Sequence, residues 1–268
     1  MKRVIFTLLY DSGKFVLSRN FRLQKIGDID WLFENYKFED ISYGLDELLV
    51  LDISREKKDF NKFCEIINLI SSKCFVPLTA GGNLNDINEV KNYFENGADK
   101  IFLNNAFHNN SQLCKEIISI YGKQSLIAGI DIKKKNNEYF ICKDHAQITT
   151  DIKLKDWIKF ILNEIGAGEV LVQSIDRDGT ANGLELDNDF LENFTNLNVP
   201  LIIMGGAGKF EHFIEALNKE GVDAISTANL LNFIGDSFVK IKQNLIKQKI
   251  QTVEWNMNEM KDLKGINK

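Results

Sequence analysis

Short apolar runs recur along the chain, with amphipathic stretches between them. RVIFTLL, ELLVLDI, CFVPLTA, KIFLNN, SLIAGIDI, EVLVQSI, VPLIIMGG and DAISTA are rich in Val, Ile and Leu at consecutive positions. That pattern predicts eight strands of a parallel sheet buried on both faces. The stretches KDFNKFCEIINLISS, LNDINEVKNYFENG and KFEHFIEALNKEG place their apolar residues at helical spacing, as helices covering such a sheet do. Eight strand-then-helix units in 268 residues fit one (β/α)8 TIM barrel, with an open doubly wound sheet as the competitor.

Internal repetition separates the two. Asp52 and Asp176 follow the second and sixth predicted strands, 124 residues apart. Gly81-Gly82 and Gly205-Gly206 follow the third and seventh at the same interval, and Asn105 and Asn229 follow the fourth and eighth. Gly97-Ala98-Asp99 and Gly221-Val222-Asp223 precede those last two strands, again 124 apart. One offset shared by four features indicates two copies of a (βα)4 half-barrel, and two halves close a barrel more naturally than an open sheet. The barrel is expected over residues 1–250, with a polar extension over 251–268.

The repeated residues suggest a chemistry. Glycines at the carboxyl end of a strand let backbone N–H groups approach an anion, and the next helix adds its positive end. A single Gly-Gly pair serves a turn as readily; two pairs at matched positions point to a ligand with a phosphate at each end. Net charge of −5 disfavours nucleic acid as the main partner. No apolar run is long enough to span a bilayer. Four scattered cysteines (Cys64, Cys74, Cys114, Cys142) suggest reduced thiols and a cytoplasmic protein without a metal site or cofactor.

The first strand raises a question. In many barrel enzymes a catalytic side chain stands where a strand ends, yet here Leu8-Leu9-Tyr10 leads into the turn Asp11-Ser12-Gly13. ELLVLDIS, VPLTAGG, NGADKIFLNNA, AGIDIK, GAGEVLVQSIDRDGT and MGGAG together resemble the cyclase subunit of imidazole glycerol phosphate synthase, HisF, from residue 2 to about residue 245. The resemblance implies a (β/α)8 barrel that receives ammonia from a glutaminase at its bottom and uses it at the top, where two aspartates cyclise a bis-phosphate ribonucleotide. One of those aspartates persists as Asp131. Leu9 occupies the position of the other, and Leu17 that of a substrate-binding lysine; Asp11, placed two residues past the strand, is no substitute. A lone carboxylate cannot both accept and donate a proton on opposite faces in one step.

The same resemblance implies phosphate-binding roles for Gly81, Gly82, Asn104, Asn105, Gly179, Gly205, Gly206, Ala228 and Asn229. It assigns Arg3, Glu47, Lys100 and Glu169 to a ring of alternating charges gating ammonia, and Asp99 to the glutaminase interface. Without the family, charges at strand starts would be read as solvated ends. An intact inlet with a broken acid–base pair is most similar to HisF-like proteins associated with glycosyl amidation. These imply a HisH-like glutaminase and an N-acetyl-sugar amidotransferase as partners. Two other readings stay open: a working cyclase of histidine synthesis, and a scaffold that only activates the glutaminase.

Some features are set aside. DRDGTANG (Asp176 to Gly183) lacks the acidic twelfth position of a calcium loop. His108, His145 and His212 show no ligand spacing. IKKKNNEYFICKDH forms either a flap over the mouth or a plain surface hairpin.

Overall fold

The computed structural model describes residues 1–36, 38–41, 44–55, 58–229 and 237–253. Its strands are β1 (Arg3–Asp11), β2 (Lys14–Arg19), β3 (Arg22–Gly27), β4 (Glu47–Asp52), β5 (Leu78–Gly81), β6 (Lys100–Leu103), β7 (Leu126–Lys135), β8 (Glu138–Lys143), β9 (Ile148–Lys153), β10 (Glu169–Ser174), β11 (Leu201–Met204) and β12 (Ala224–Thr227). Eight of these, β1, β4, β5, β6, β7, β10, β11 and β12, run parallel in that order. β12 pairs back onto β1, with Arg3 opposite Ala224 and Phe6 opposite Thr227. The sheet therefore closes, and the (β/α)8 expectation is met. No helix among the described residues is long and apolar enough to cross a membrane.

Consecutive apolar residues serve two cores. Phe6, Leu8, Val50 and Ile101 point outward to helices such as Phe60–Ser71, which presents Phe63, Ile66, Ile67 and Ile70. Ile5, Leu9, Leu49, Leu51, Ile127, Leu171, Ile202 and Met204 fill the barrel's interior. Asp59 and Asp86 cap the helices Phe60–Ser71 and Ile87–Glu95, accepting from Lys62 N–H and from Asn88 and Glu89 N–H.

The first strand of each half-barrel continues into an antiparallel excursion. β1 turns through Ser12-Gly13 into β2 and β3, and β7 turns through Asn136-Asn137 into β8 and β9. The first excursion is absent from the sequence reading. It also corrects the placement of Asp11, which is the last residue of β1 rather than part of the turn; its carboxylate accepts from Ser12 Oγ at 3.0 Å.

Three aspartates brace the amino-terminal ends of the strands. Asp46 accepts from Val4 N–H at 2.8 Å, Asp99 from Leu78 N–H at 2.8 Å, and Asp223 from Leu201 N–H at 2.9 Å. The Asp99 and Asp223 braces repeat at the half-barrel interval. Asp46 additionally pairs with Lys242, both side chains being buried. Of the predicted extension, 251–253 lies on this face: Lys2 N–H donates to the Gln251 carbonyl at 2.8 Å, and Lys2 bridges Thr252. The remainder of the extension, 254–268, lies outside the described residues.

Candidate active site

The carboxyl ends of the strands surround two adjoining cavities that share Ser18 and Leu23. The larger, about 770 Å³, is lined by Gly179, Gly205, Gly206, Ala228 and Asn229, all singled out from the sequence. Gly205 and Gly206 have φ of +101° and +95°, the backbone region that favours glycine, and a Cβ on them would stand 2.8 Å from the Ser174 carbonyl oxygen and 2.1 Å from that of Gly183. Arg19 and Arg22, at the tip of the β2–β3 hairpin, line the same cavity, as does Leu17. The smaller, about 310 Å³, is lined by Gly82, Asn104, Asn105, Leu9 and Asp131. Gly81 does not reach this lining; it faces the barrel interior against Leu51 and Phe102.

Asp131 and Leu9 therefore share one cavity, which also receives Asp52 and Gln173. Asp131 is buried, and burial pushes its carboxyl up to about 7; a hydrogen bond with Asn104 opposes the rise and the nearby Asp178 charge adds to it. Folded, Asp131 keeps its proton to about pH 7, whereas the unfolded chain releases it near pH 4. The folded state binds the extra proton across that window, so this contribution to stability is lost as pH rises toward 7. Asp131→Asn should lack that loss. Between about pH 5 and 7.5, urea unfolding should show wild type losing roughly 2 kcal/mol more than the variant. Equal pH dependence would mean that Asp131 is already ionised at pH 5.

Asp178 holds the mouth together. Its Oδ2 accepts from Ser18 Oγ at 2.6 Å and Phe21 N–H at 3.0 Å, and its Oδ1 from Gln173 Nε2 at 3.2 Å. Its carbonyl accepts from Asn20 N–H at 3.1 Å. The hairpin tip is thereby latched over the loop after β10. Gly179 makes this close approach possible, since a Cβ there would stand 2.4 Å from the Ser18 carbonyl oxygen. On the other side, the loop between β8 and β9 brings His145 into the smaller cavity, and Asp144 N–H donates to Asn105 Oδ1 at 3.3 Å. The second excursion thus overhangs the mouth as a flap does. Burial, with Arg55 nearby, lowers the pKa of His145, which favours the neutral ring. Neither Asp178 nor the hairpin arginines were picked out from the sequence.

At the opposite end Arg3, Glu47, Lys100 and Glu169 meet inside the barrel. Arg3 Nη1 lies 3.0 Å from Glu47 Oε1 and Nη2 lies 2.6 Å from Glu169 Oε2. Lys100 Nζ pairs with Glu47 and, at 2.6 Å, with Glu169 Oε1. The result is a closed ring of alternating sign. Burial alone would raise the pKa of Glu169, but Arg3 and Lys100 outweigh it and hold the carboxyl below its ordinary value. Burial likewise works against the charge on Arg3, and the two glutamates more than restore it. Asp99 sits at the rim, its exposed side chain engaged in the Leu78 brace. His108 and His212 lie outside both cavities: His108 stacks on Trp157, and His212 Nδ1 accepts from Gly208 N–H. All four cysteines are buried, and none is in a disulfide.

Residues 4–235 match the family model described as histidine biosynthesis protein. A relative named "Putative imidazole glycerol phosphate synthase subunit hisF2", from Parasynechococcus marenigrum (strain WH8102), is 44% identical over 237 residues, spanning 88% of this chain and 87% of the relative. Imidazole glycerol phosphate synthase subunit HisF of Chlorobium limicola is 34% identical over 245 residues, 91% of this chain and 95% of the relative. The subunit of the same name from Flavobacterium psychrophilum is 34% identical over 252 residues, 92% and 98%.

Proposed function

The chain belongs to the histidine biosynthesis protein family as a HisF-like barrel, and from that premise we propose that it is the ammonia-carrying subunit of a glutamine amidotransferase complex. A HisH-like glutaminase would dock on the face where the ion ring lies, near Asp99. Ammonia would pass the ring, cross the barrel and leave at the mouth for an N-acetyl-sugar amidotransferase. That enzyme would convert an acetamido group to an acetamidino group in surface-polysaccharide synthesis, within the cytoplasm.

One observation carries this reading: the barrel pairs a complete ring of opposed charges at its base with a mouth cavity that Asp131 shares with Leu9, the position at which the resemblance implies a cyclase's second carboxylate. The name hisF2 of a 44% identical relative fits a paralogue of the histidine enzyme. A second reading, a working cyclase, draws support from Asp131, whose raised pKa suits proton transfer near neutrality, and from the paired mouth cavities. In either reading the ligand at Gly205-Gly206 is a phosphorylated small molecule or inorganic phosphate.

Lys100→Ala separates a conduit from a scaffold. It removes one of two cations from a ring whose glutamates are buried, while the outer core between sheet and helices is left untouched. In the reconstituted complex glutamine hydrolysis should continue while amidated sugar per glutamine falls several-fold, with ammonia leaking into solution. Circular dichroism checks that the barrel remains folded. An unchanged ratio of product to glutamine would mean that ammonia does not travel through this barrel.

A further inference from the structure

Midway around the barrel, three neighbouring strands place Gly81, Phe102 and Gly129 toward the interior. Gly81 on β5 is opposite Phe102 on β6, and Phe102 is opposite Ile127 on β7, two residues below Gly129. The Phe102 ring leans upward across β7. A Cβ built on Gly129 would stand 2.2 Å from its Cζ and 2.6 Å from its Cε2, so a larger residue cannot share that position with the ring. On the other side, a Cβ on Gly81 would stand 2.9 Å from Phe102 Cβ and 2.7 Å from Leu51 Cδ2. Glycine inside a strand is less favourable than alanine and commonly marks a close approach by another group. Here the group that approaches is an aromatic ring.

The ring also lies on a boundary. It packs against the interior apolar cluster that includes Leu9 and Leu51, and the same three side chains line the smaller mouth cavity. Asp131 and Asn104, both lining that cavity, belong to the mouth side of this collar. Leu9 and Leu51 are buried, whereas Phe102 is only half-buried. An apolar collar admits a neutral molecule that sheds its water and resists an ion or a hydrated polar solute. Phenylalanine occupies staggered χ1 wells, and the mouth cavity that Phe102 lines gives its ring space beside Gly129 for a change of rotamer.

We propose that Phe102 is the upper gate of the barrel: its ring, seated over Gly129, closes the collar formed with Leu9 and Leu51, and swings aside to let neutral ammonia into the mouth. The inference rests on the conduit reading and extends it. Paired with the ion ring below, the gate closes the interior at both ends, and ammonia waits there for the acceptor enzyme rather than diffusing away. It also gives Gly129 a task that packing of the outer core does not require.

The test supplies the reconstituted complex with glutamine carrying 15N in its side-chain amide, in buffer containing excess unlabelled ammonium. Product made from channelled ammonia carries the label, and product made from bulk ammonia does not. Wild type should retain the label. Phe102→Ala, which removes the gate, and Gly129→Ala, whose methyl group displaces the ring, should each dilute it several-fold. Phe102→Leu, with a shorter side chain and no ring, replaces the first variant if that one fails to fold. A merely structural role would lower the unfolding midpoint without changing the source of the nitrogen. If the Phe102 and Gly129 variants keep wild-type labelling while Lys100→Ala loses it, the gate is overturned and the conduit stands. If Lys100→Ala keeps it as well, the conduit reading falls and the gate with it.

Discussion

Supplied with the bis-phosphate substrate of HisF cyclases and free ammonium, the protein should turn over at least roughly 10²-fold more slowly than an authentic cyclase, the scale of one lost acid–base contribution. Asp131 remains in the mouth with a raised pKa, so one proton-transferring group is available. Leu9 shares its cavity and offers no proton to give or take. Leu9→Asp should recover little. The new carboxylate would stand at a position only 6% exposed, among the apolar side chains of the inner cluster, where desolvation favours its neutral form. Leu17 also lines the larger cavity, at a position for which the resemblance implies a substrate-binding lysine in the cyclases. Turnover within a few-fold of a genuine cyclase would refute delivery to a separate acceptor enzyme and return the protein to histidine synthesis.

The second large effect concerns stability. Asp46 accepts from Val4 N–H and pairs with Lys242, both side chains being almost fully buried. Asp46→Ala removes the strand brace and leaves an ammonium group buried without this carboxylate, a change of the kind that costs about 3–5 kcal/mol. Asp99→Ala removes a brace of the same geometry from an exposed residue and should cost nearer 1 kcal/mol. Urea unfolding of the two variants side by side isolates the share of the buried pair. If Asp46→Ala is no more damaging than Asp99→Ala, the pair with Lys242 adds nothing beyond the brace.

The barrel was legible because its signals are redundant. Strands such as Glu47–Asp52, buried at every position, read as apolar runs, and the 124-residue repeat appears in glycines, asparagines and aspartates alike. The mouth glycines Gly205 and Gly206 could be placed because backbone requirements leave a mark on the sequence. The hairpin β2–β3 could not. β3 has no buried residue, and its turn runs through Asn20 and Phe21 at φ of +49° and +60°, a conformation that a phenylalanine does not announce. Asp178 shows its importance only once the hairpin is present to be latched. Arg3, Glu47, Lys100 and Glu169 looked like ordinary charged strand ends; only likeness to a family grouped them, because charges on separate strands carry no local pattern. Phe102 was invisible for a related reason, since its meaning depends on what is missing from the strands beside it.

The pairing of Lys2 with Thr252 makes the two ends of the barrel neighbours on the face that carries the ion ring. The strand order therefore has no privileged starting point. With residues 254–268 removed, a short linker can join these neighbours, and fresh ends can be opened at the exposed Asn136-Asn137 turn, with every barrel strand pairing preserved. A chain rewired in this way would carry its tags and fusions above the mouth, leaving the opposite face clear for a docking subunit.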